Sequence, residues 1–362
     1  MIEIRLGTEG DRGQILERME EVYGVAPARR AERLWDWQWH QDPRLERPGY
    51  RGVVAVWRGH LIGNLATIPA GLFVDGAPCQ AWWFVDVLVH WGLTRQALRE
   101  HKRTAQPVMD SDQVPNLSRG IAAALFDHPA AGPIQLGKHV ADPMARIGER
   151  VGFAPVAQSG GFHRRITLRH PIARVLGTQL GDLTGALIEQ AMGPWPRPEL
   201  PVEPHLGDFD ARFDQLWQRV VQRYPAICQR DARLLNWRYR DHPDGGHHVL
   251  TVSDGQTLRG YCVVRAFDQG RRRRGKILDL LTAPEDQRAR ASLFAAALHE
   301  LRRERVERAE IFVSDAALTS LVGALGFTPK LSKSGRPGPI LARHLPAVAE
   351  PLYVTQGDGD GG

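Results

Sequence analysis

Only three cysteines occur in the 362 residues, Cys79, Cys228 and Cys262, and no two stand at CxxC spacing. That pattern excludes a disulfide framework and a zinc knuckle, and leaves three isolated thiols. No apolar run approaches the roughly 20 residues that cross a bilayer. The opening stretch, Met1 to Gln14, has acidic and basic residues by turns and lacks an apolar signal core, so the expected compartment is the cytoplasm. Charge of one sign is scarce too: 47 Lys and Arg face 41 Asp and Glu, a formal net charge of +6. HExxH, Gly-x-Ser-x-Gly and a Rossmann glycine set are all missing. The one dense basic cluster, Arg271 to Arg274 with Lys276, imitates a phosphate loop at GxxxxGK spacing. Ile277 stands where such a loop needs Ser or Thr for magnesium, and a strand pattern follows, so the cluster reads as a solvated turn. No metal site is expected, and neither a membrane nor nucleic acid is an expected partner.

What is present is a repeat. Arg33-Leu34-Trp35-Asp36-Trp37-Gln38-Trp39 aligns with Arg233-Leu234-Leu235-Asn236-Trp237-Arg238-Tyr239, with Pro43 and Pro243 following at equal distance. Next, Val53 to Val56 before Arg58-Gly59 matches Val249 to Val252 before Asp254-Gly255, each a strand entering a tight turn. Third, Val85-Asp86-Val87-Leu88-Val89 matches Leu278-Asp279-Leu280-Leu281-Thr282, near-continuous apolar runs of the kind that fill a strand covered on both faces. Fourth, the segment ending Val151-Gly152-Phe153-Ala154-Pro155 matches that ending Leu325-Gly326-Phe327-Thr328-Pro329, where a helix stops at a glycine and a strand follows.

Four matches in one order define two copies, at 1–170 and 208–347. A proline-rich linker is expected over 171–207, and a disordered tail over 348–362. The first copy is longer. Asp86 to Gly152 spans 66 positions, Asp279 to Gly326 only 47, and the 19 extra fall in an insertion at 91–118. Insertions beside strand ends commonly carry recognition.

The element order in each copy, with its closing Gly-Phe turn, resembles the GNAT (GCN5-related N-acetyltransferase-like) superfamily in a tandem arrangement. The resemblance covers about 300 residues and implies an α/β fold of two tandem GNAT-like domains. Each would be a mixed, mostly antiparallel sheet flanked by helices. It implies an acyl-CoA-dependent N-acyltransferase, moving an acyl group, by expectation acetyl, from acetyl-CoA or another acyl-CoA to a primary amine of a small molecule or amino sugar. In that family the apolar strand splays from its neighbour and offers backbone to pantetheine; here that is Val87, Leu88 and Val89. The loop opening the next helix binds pyrophosphate through free amides, for which a side chain is an obstruction. In the first copy that loop is Leu117-Ser118-Arg119-Gly120-Ile121-Ala122, with Ser118, Arg119, Gly120, Ile121 and Ala122 as the cofactor-binding residues. In the second copy Arg290 takes the glycine position and Ser292 the small one, so the cofactor is expected in the first.

The family's acidic tyrosine is absent from both copies, where Gly148 and Val322 stand instead. Candidate catalytic groups are Asp86 on the apolar strand, His90 at its end and His128 after the cofactor helix, since carboxylate and imidazole can deprotonate an amine. Asp279 as the counterpart of Asp86 favours a shared structural role for that carboxylate. Trp35, Trp37 and Trp39 alternate and Trp82-Trp83 are adjacent, which would suit stacking on a sugar or a base; recurrence of Trp37 as Trp237 favours core packing for that residue. The missing tyrosines also fit a second class of function, a non-catalytic binding or scaffold protein that keeps the fold.

Overall fold

The computed structural model describes residues 1–104, 117–138, 142–156, 160–167, 177, 195–331, 340–349 and 351–359, with the backbone alone at 101, 117–119 and 142–144. These residues form two compact units.

The first unit comprises residues 1–72, 79–155 and 340–346. It opens with β1 (Ile2–Leu6), α1 (Arg12–Tyr23), α2 (Val25–Trp39), β2 (Gly52–Trp57) and β3 (His60–Pro69). The Asp11 carboxylate braces the approach to α1, accepting the Thr8 N–H at 2.8 Å and two bonds from Arg5. Short strands β4 (Leu72–Val74) and β5 (Ala77–Cys79), whose residues 73–78 belong to the second unit, lead to β6 (Ala81–Val89). Then come α3 (Trp91–Thr104), α4 (Leu117–Asp127), β7 (Ile134–Gly137), α5 (Asp142–Arg150) and β8 (Ala154–Pro155). All three tryptophans of α2 are core residues, 2–7% exposed, and Trp35 stacks on Tyr50 with ring centroids 5.3 Å apart. The sugar-stacking use expected of Trp35 and Trp39 therefore fails: a helix that buries this face has no aromatic left for a ligand.

The second unit comprises residues 73–78, 156–339 and 347–362. Its elements are β9 (Gly160–Arg165), β10 (Glu203–His205), α6 (Ala211–Val220), β11 (Ala226–Cys228) and α7 (Ala232–Leu235), which widens into a π turn at Asn236–Arg240. They continue with β12 (His247–Asp254), β13 (Thr257–Gln269), β14 (Arg272–Thr282), α8 (Gln287–Arg303), β15 (Arg308–Val313), α9 (Ala316–Ala324) and β16 (Thr328–Pro329). Two late strands follow, β17 (Leu341–Arg343), which belongs to the first unit, and β18 (Leu352–Tyr353).

The two seven-stranded sheets have one plan. Their orders are β1-β2-β3-β6-β7-β17-β8 and β10-β12-β13-β14-β15-β9-β16. One central pair in each is parallel, β6/β7 and β14/β15, and the other pairs are antiparallel. The Gly-Phe turns also agree. Gly152 and Gly326 take φ of 92° and 75°, which glycine tolerates best. The N–H groups of Phe153 and Phe327 then reach back to Gly148 and Val322 at 2.9 and 3.0 Å.

Three boundaries differ from expectation. The strand between β7 and β8 comes from residues 341–343, and that between β15 and β16 from 160–165, so neither unit is one continuous segment. The linker expected up to residue 207 is already part of the second unit by residue 195: Trp195 packs against its core, and the Ser292 hydroxyl accepts the N–H groups of Glu199 and Leu200, both at 3.1 Å. The tail is not disordered over 351–359: Thr355, Gln356 and Asp358 are 2–7% exposed. The insertion begins as α3, whose Ala97 is fully buried against the first core, and residues 105–116 lie outside the described ones.

Candidate functional site

In the first unit β6 pairs with β7 only from Ala81 to Trp83. A side chain at Gly137 would place its Cβ 1.7 Å from Phe84 Cζ, so the Phe84 ring lies across the end of β7 and prises the strands apart. Phe126 and Phe153 brace that ring edge-on, with centroids 5.3 and 5.4 Å away. From Phe84 to Val89 the far side of β6 has no strand neighbour among the described residues.

The other side of β6 follows β3 with a bulge: Ala66 faces Val85 and Asn64 faces Leu88. Asp86 sits in the bulge with φ at 50°, a left-handed conformation costly for a non-glycine residue and frequent at functional sites. Its carbonyl accepts from Asn64 Nδ2 at 2.9 Å, and Asn64 Oδ1 in turn accepts from the Tyr50 hydroxyl. Strand N–H groups alternate in direction. His90 donates its own to Ile62 on β3 at 2.8 Å, so Leu88 faces β3 as well, while Val87 and Val89 face the opening. Of the three expected backbone contacts, Val87 and Val89 offer their N–H groups there and Leu88 does not; the Leu88 side chain is 1% exposed and packed inward.

Helix α4 begins at Leu117, so the segment 117–122 expected as a loop is helical, and of its first turn Leu117, Ser118 and Arg119 have N–H groups without an intrahelical acceptor. Ile121 and Ala122 are fully buried in the first core, alongside Val89 and Leu125. They hold the helix against the sheet, and as its fifth and sixth residues they bond their N–H groups within it, so neither offers the free amide expected of it.

Catalytic candidates separate on hydrogen bonding. His90 Nδ1 accepts the Leu93 N–H at 3.0 Å and Nε2 lies 2.9 Å from Glu21 Oε2, so both ring nitrogens are engaged. His128 Nδ1 likewise accepts the Ala130 N–H at 3.2 Å. As neutral rings both are donors at Nε2 and have no lone pair to spare for a substrate proton. Asp86 is half-buried, and its charge together with burial raises the proton affinity of two neighbouring phenols, with burial the larger cause for each: Tyr23 upward, and Tyr50 well above its usual range. The Tyr23 hydroxyl donates to the Val87 carbonyl on the splayed strand. Tyr23 and Glu21 carried no recognisable signal in the sequence, since they close a polar helix whose only marker is the glycine after it.

The matching place in the second unit is filled. Beyond the pairing of Arg274–Ile277 with Arg308–Ile311, β14 and β15 part. Between them lies the C-terminal segment: Gly357 N–H donates to Leu278 O at 2.6 Å, Tyr353 hydroxyl to Leu280 O, and Val354 N–H to Ser314 Oγ at 2.6 Å. Asp279, 3% exposed, bonds Arg230 at 3.0 Å, Tyr261 at 2.8 Å and Thr355 at 3.0 Å. Asp358 bonds Arg230 at 2.6 Å. A carboxylate held this way is structural. At the start of α8 the Asp286 carboxylate already takes the Ala289 N–H at 3.1 Å and pairs with Arg259. Arg290, 2% exposed, lies near Thr282 and Tyr224.

Gly270 and Arg271 make the turn between β13 and β14, and Arg273 is tied to Glu304 at 2.7 Å. Among the described residues His248, Glu300 and Glu304 bring possible metal-ligand atoms within 4.8 Å, but Arg303 and Arg273 already neutralise the two carboxylates. No described helix is long and apolar enough to cross a membrane.

No family model and no curated protein matches the chain. Solved structures do. A GCN5-related N-acetyltransferase from Anabaena variabilis superimposes with TM-score 0.58 at 12% identity, over 95% of this chain and 72% of that one. Saccharomyces cerevisiae N-myristoyltransferase with bound myristoyl-CoA gives 0.57 at 13%, over 96% and 83%. A GCN5-related N-acetyltransferase from Kribbella flavida gives 0.55 at 12%, over 94% and 70%. The chain has the GNAT fold, and its two units share one strand plan.

Proposed function

We propose that the chain is an N-acyltransferase that takes its acyl group from acyl-CoA, with the donor held by the first half. The carrying observation is the open edge of β6 beside a helix whose first turn contains Gly120. Free strand amides suit an extended amide-bearing arm. Unobstructed helix amides and the positive end of the helix dipole suit a pyrophosphate. Val87 and Val89 would hold the arm, and the first-turn N–H groups of Ser118 and Arg119 the phosphates, with Gly120 leaving them room. When bound, acyl-CoA supplies an activated thioester.

Asp86 takes a proton from the incoming amine, directly or through a water. The Val89 N–H faces the opening and can stabilise negative charge on an acyl oxygen. The Tyr23 hydroxyl, lying on the Val87 carbonyl, keeps its proton at neutral pH and is the group placed to hand one to a departing thiolate. The acceptor we favour is a small primary amine or amino sugar, and acetyl is the first acyl group to test.

Incubating the protein with acetyl-CoA and a panel of amines, while following free thiol, tests this reading. Amine-dependent thiol release supports it. Gly148 in place of the family's tyrosine, and two histidines committed to backbone bonds, favour a second reading, an acyl-CoA-binding protein without turnover. In that case acetyl-CoA raises the melting temperature with no thiol released from any amine.

A further inference from the structure

Three arginines stand in one row across adjacent strands of the second unit. Arg165 on β9 lies directly opposite Arg308 on β15, and Arg308 opposite Arg274 on β14. Directly paired residues project from the same face, and strands are about 4.8 Å apart, so three guanidinium stems leave the sheet within about 10 Å. Like charges directly opposite each other destabilise a sheet. Among the described residues none of the three makes an ion pair, and Arg274 Nε is buried with no hydrogen-bond partner. The nearest carboxylate on that face, Glu310 one row along, is 3.3 Å from Lys330 and so already paired.

A cavity of about 410 Å³ opens here, lined by His163, Arg164, Arg165, Arg308, Gly326 and Thr328. Its size falls within the range of small-molecule pockets. Arg164 contributes a third cation to the lining, its guanidinium 4.6 Å from the Trp195 ring. His163 has a buried Nδ1 without a partner, while its Nε2 is 3.4 Å from the Thr328 hydroxyl. Burial and Arg308 both lower the proton affinity of His163, so the ring is neutral at pH 7 and can accept or donate a bond. Gly326, with φ of 75°, keeps the rim free of a side chain that would stand against Arg164.

We propose that this cavity binds a phosphate-bearing small molecule, its oxyanions bridging Arg165 and Arg308. A lining of three cations and no anion is left largely uncompensated by a single carboxylate. A phosphate or diphosphate carries the needed charge, and its oxygens match the forked guanidinium donors. The site is separate from the acyl-donor site and does not rest on it.

Calorimetric titration with pyrophosphate, glucose 6-phosphate and ADP tests the proposal and distinguishes inorganic from esterified phosphate. At least one should bind saturably, and raise the melting temperature beyond what sodium chloride of equal ionic strength does. Arg165→Gln changes an exposed side chain. It should weaken binding at least tenfold, yet leave the unliganded protein as stable as before or slightly more so, because one repulsion is gone. Arg308→Gln should weaken binding similarly, and neither variant should alter amine-dependent thiol release. Three results overturn the proposal: affinity unchanged within twofold in Arg165→Gln, a melting shift that chloride reproduces, or binding confined to an oligonucleotide with affinity rising with its length.

Discussion

The two halves carry the same strand order and the same Gly-Phe turn, yet they treat the same three places in opposite ways. At the bulge of the apolar strand, Asp86 is half-buried in a left-handed conformation, while Asp279 is bound by Arg230, Tyr261 and Thr355. At the helix start, the first half has Gly120 in the first turn, and the second has a capping carboxylate, Asp286, and a buried Arg290. Where the central strands part, the second half seats its own residues 353–357 on the exposed backbone of β14. A duplicated fold can thus keep its packing while its two copies fill the same places differently. Buried polar groups need partners, and a chain segment satisfies them as well as a ligand does.

The largest contrast should come from one substitution made at both strands. Asp86→Asn should lower amine-dependent turnover by about 10²–10⁴-fold, the usual worth of a positioned acid or base, while the urea midpoint moves little. Asp279→Asn should do the reverse. It removes charge from a buried partner of Arg230, a kind of loss that costs about 3–5 kcal/mol, and the folded fraction should keep its turnover. Loss of turnover in Asp279→Asn with full stability would break the comparison.

A smaller effect tests the tail. A Cβ at Gly357 would lie 2.1 Å from the Tyr239 hydroxyl and 3.1 Å from Leu278 O. Gly357→Ala should therefore cost about 1–3 kcal/mol by urea denaturation, as overpacking does. A disordered tail would give no change.

A pH effect also belongs to the second half alone. Burial, aided by the neighbouring His242 and Arg265, pulls His247 down to about 3 from the usual 6.5. The unfolded chain therefore takes up that proton first, so stability is full above about pH 6.5 and falls by up to about 1.4 kcal/mol per unit toward pH 3. The matching residue in the first half is Arg51, charged throughout that window. His247→Phe should flatten this part of the pH–stability curve, and an unchanged slope would assign it to other groups. Smallest of all, Arg271→Ala on its exposed turn should shift stability by less than about 0.5 kcal/mol.

What could be read in the sequence was local chemistry. The Gly-Phe turn and the Asp-bearing apolar strand are short-range patterns, and each sits where its pattern implied, whereas the segment 117–122 read as a loop is already the start of α4. The exchange of β9 and β17 was not legible, because each follows an equivalent strand and pairing between distant segments leaves no mark on periodicity. The tail was misread for a different reason. Its Gly and Asp content matches a disordered segment, but Asp358 answers a demand made far away by Arg230, 1% exposed and needing anionic partners. His90 and His128 were chosen for their chemistry, and only geometry shows their Nδ1 atoms spent on backbone N–H groups. Tyr23 was missed because a hydroxyl at the end of a polar helix looks like any surface tyrosine.

Central to the account is that acyl-CoA meets the first half and not the second. Hydrogen exchange of the unaltered protein, with and without saturating acetyl-CoA, tests this most directly, because it needs no substitution that might unfold a half. Exchange should slow at residues 84–89 and 117–122, and stay unchanged at 278–282 and 287–292. Protection confined to the second pair of segments would contradict the account.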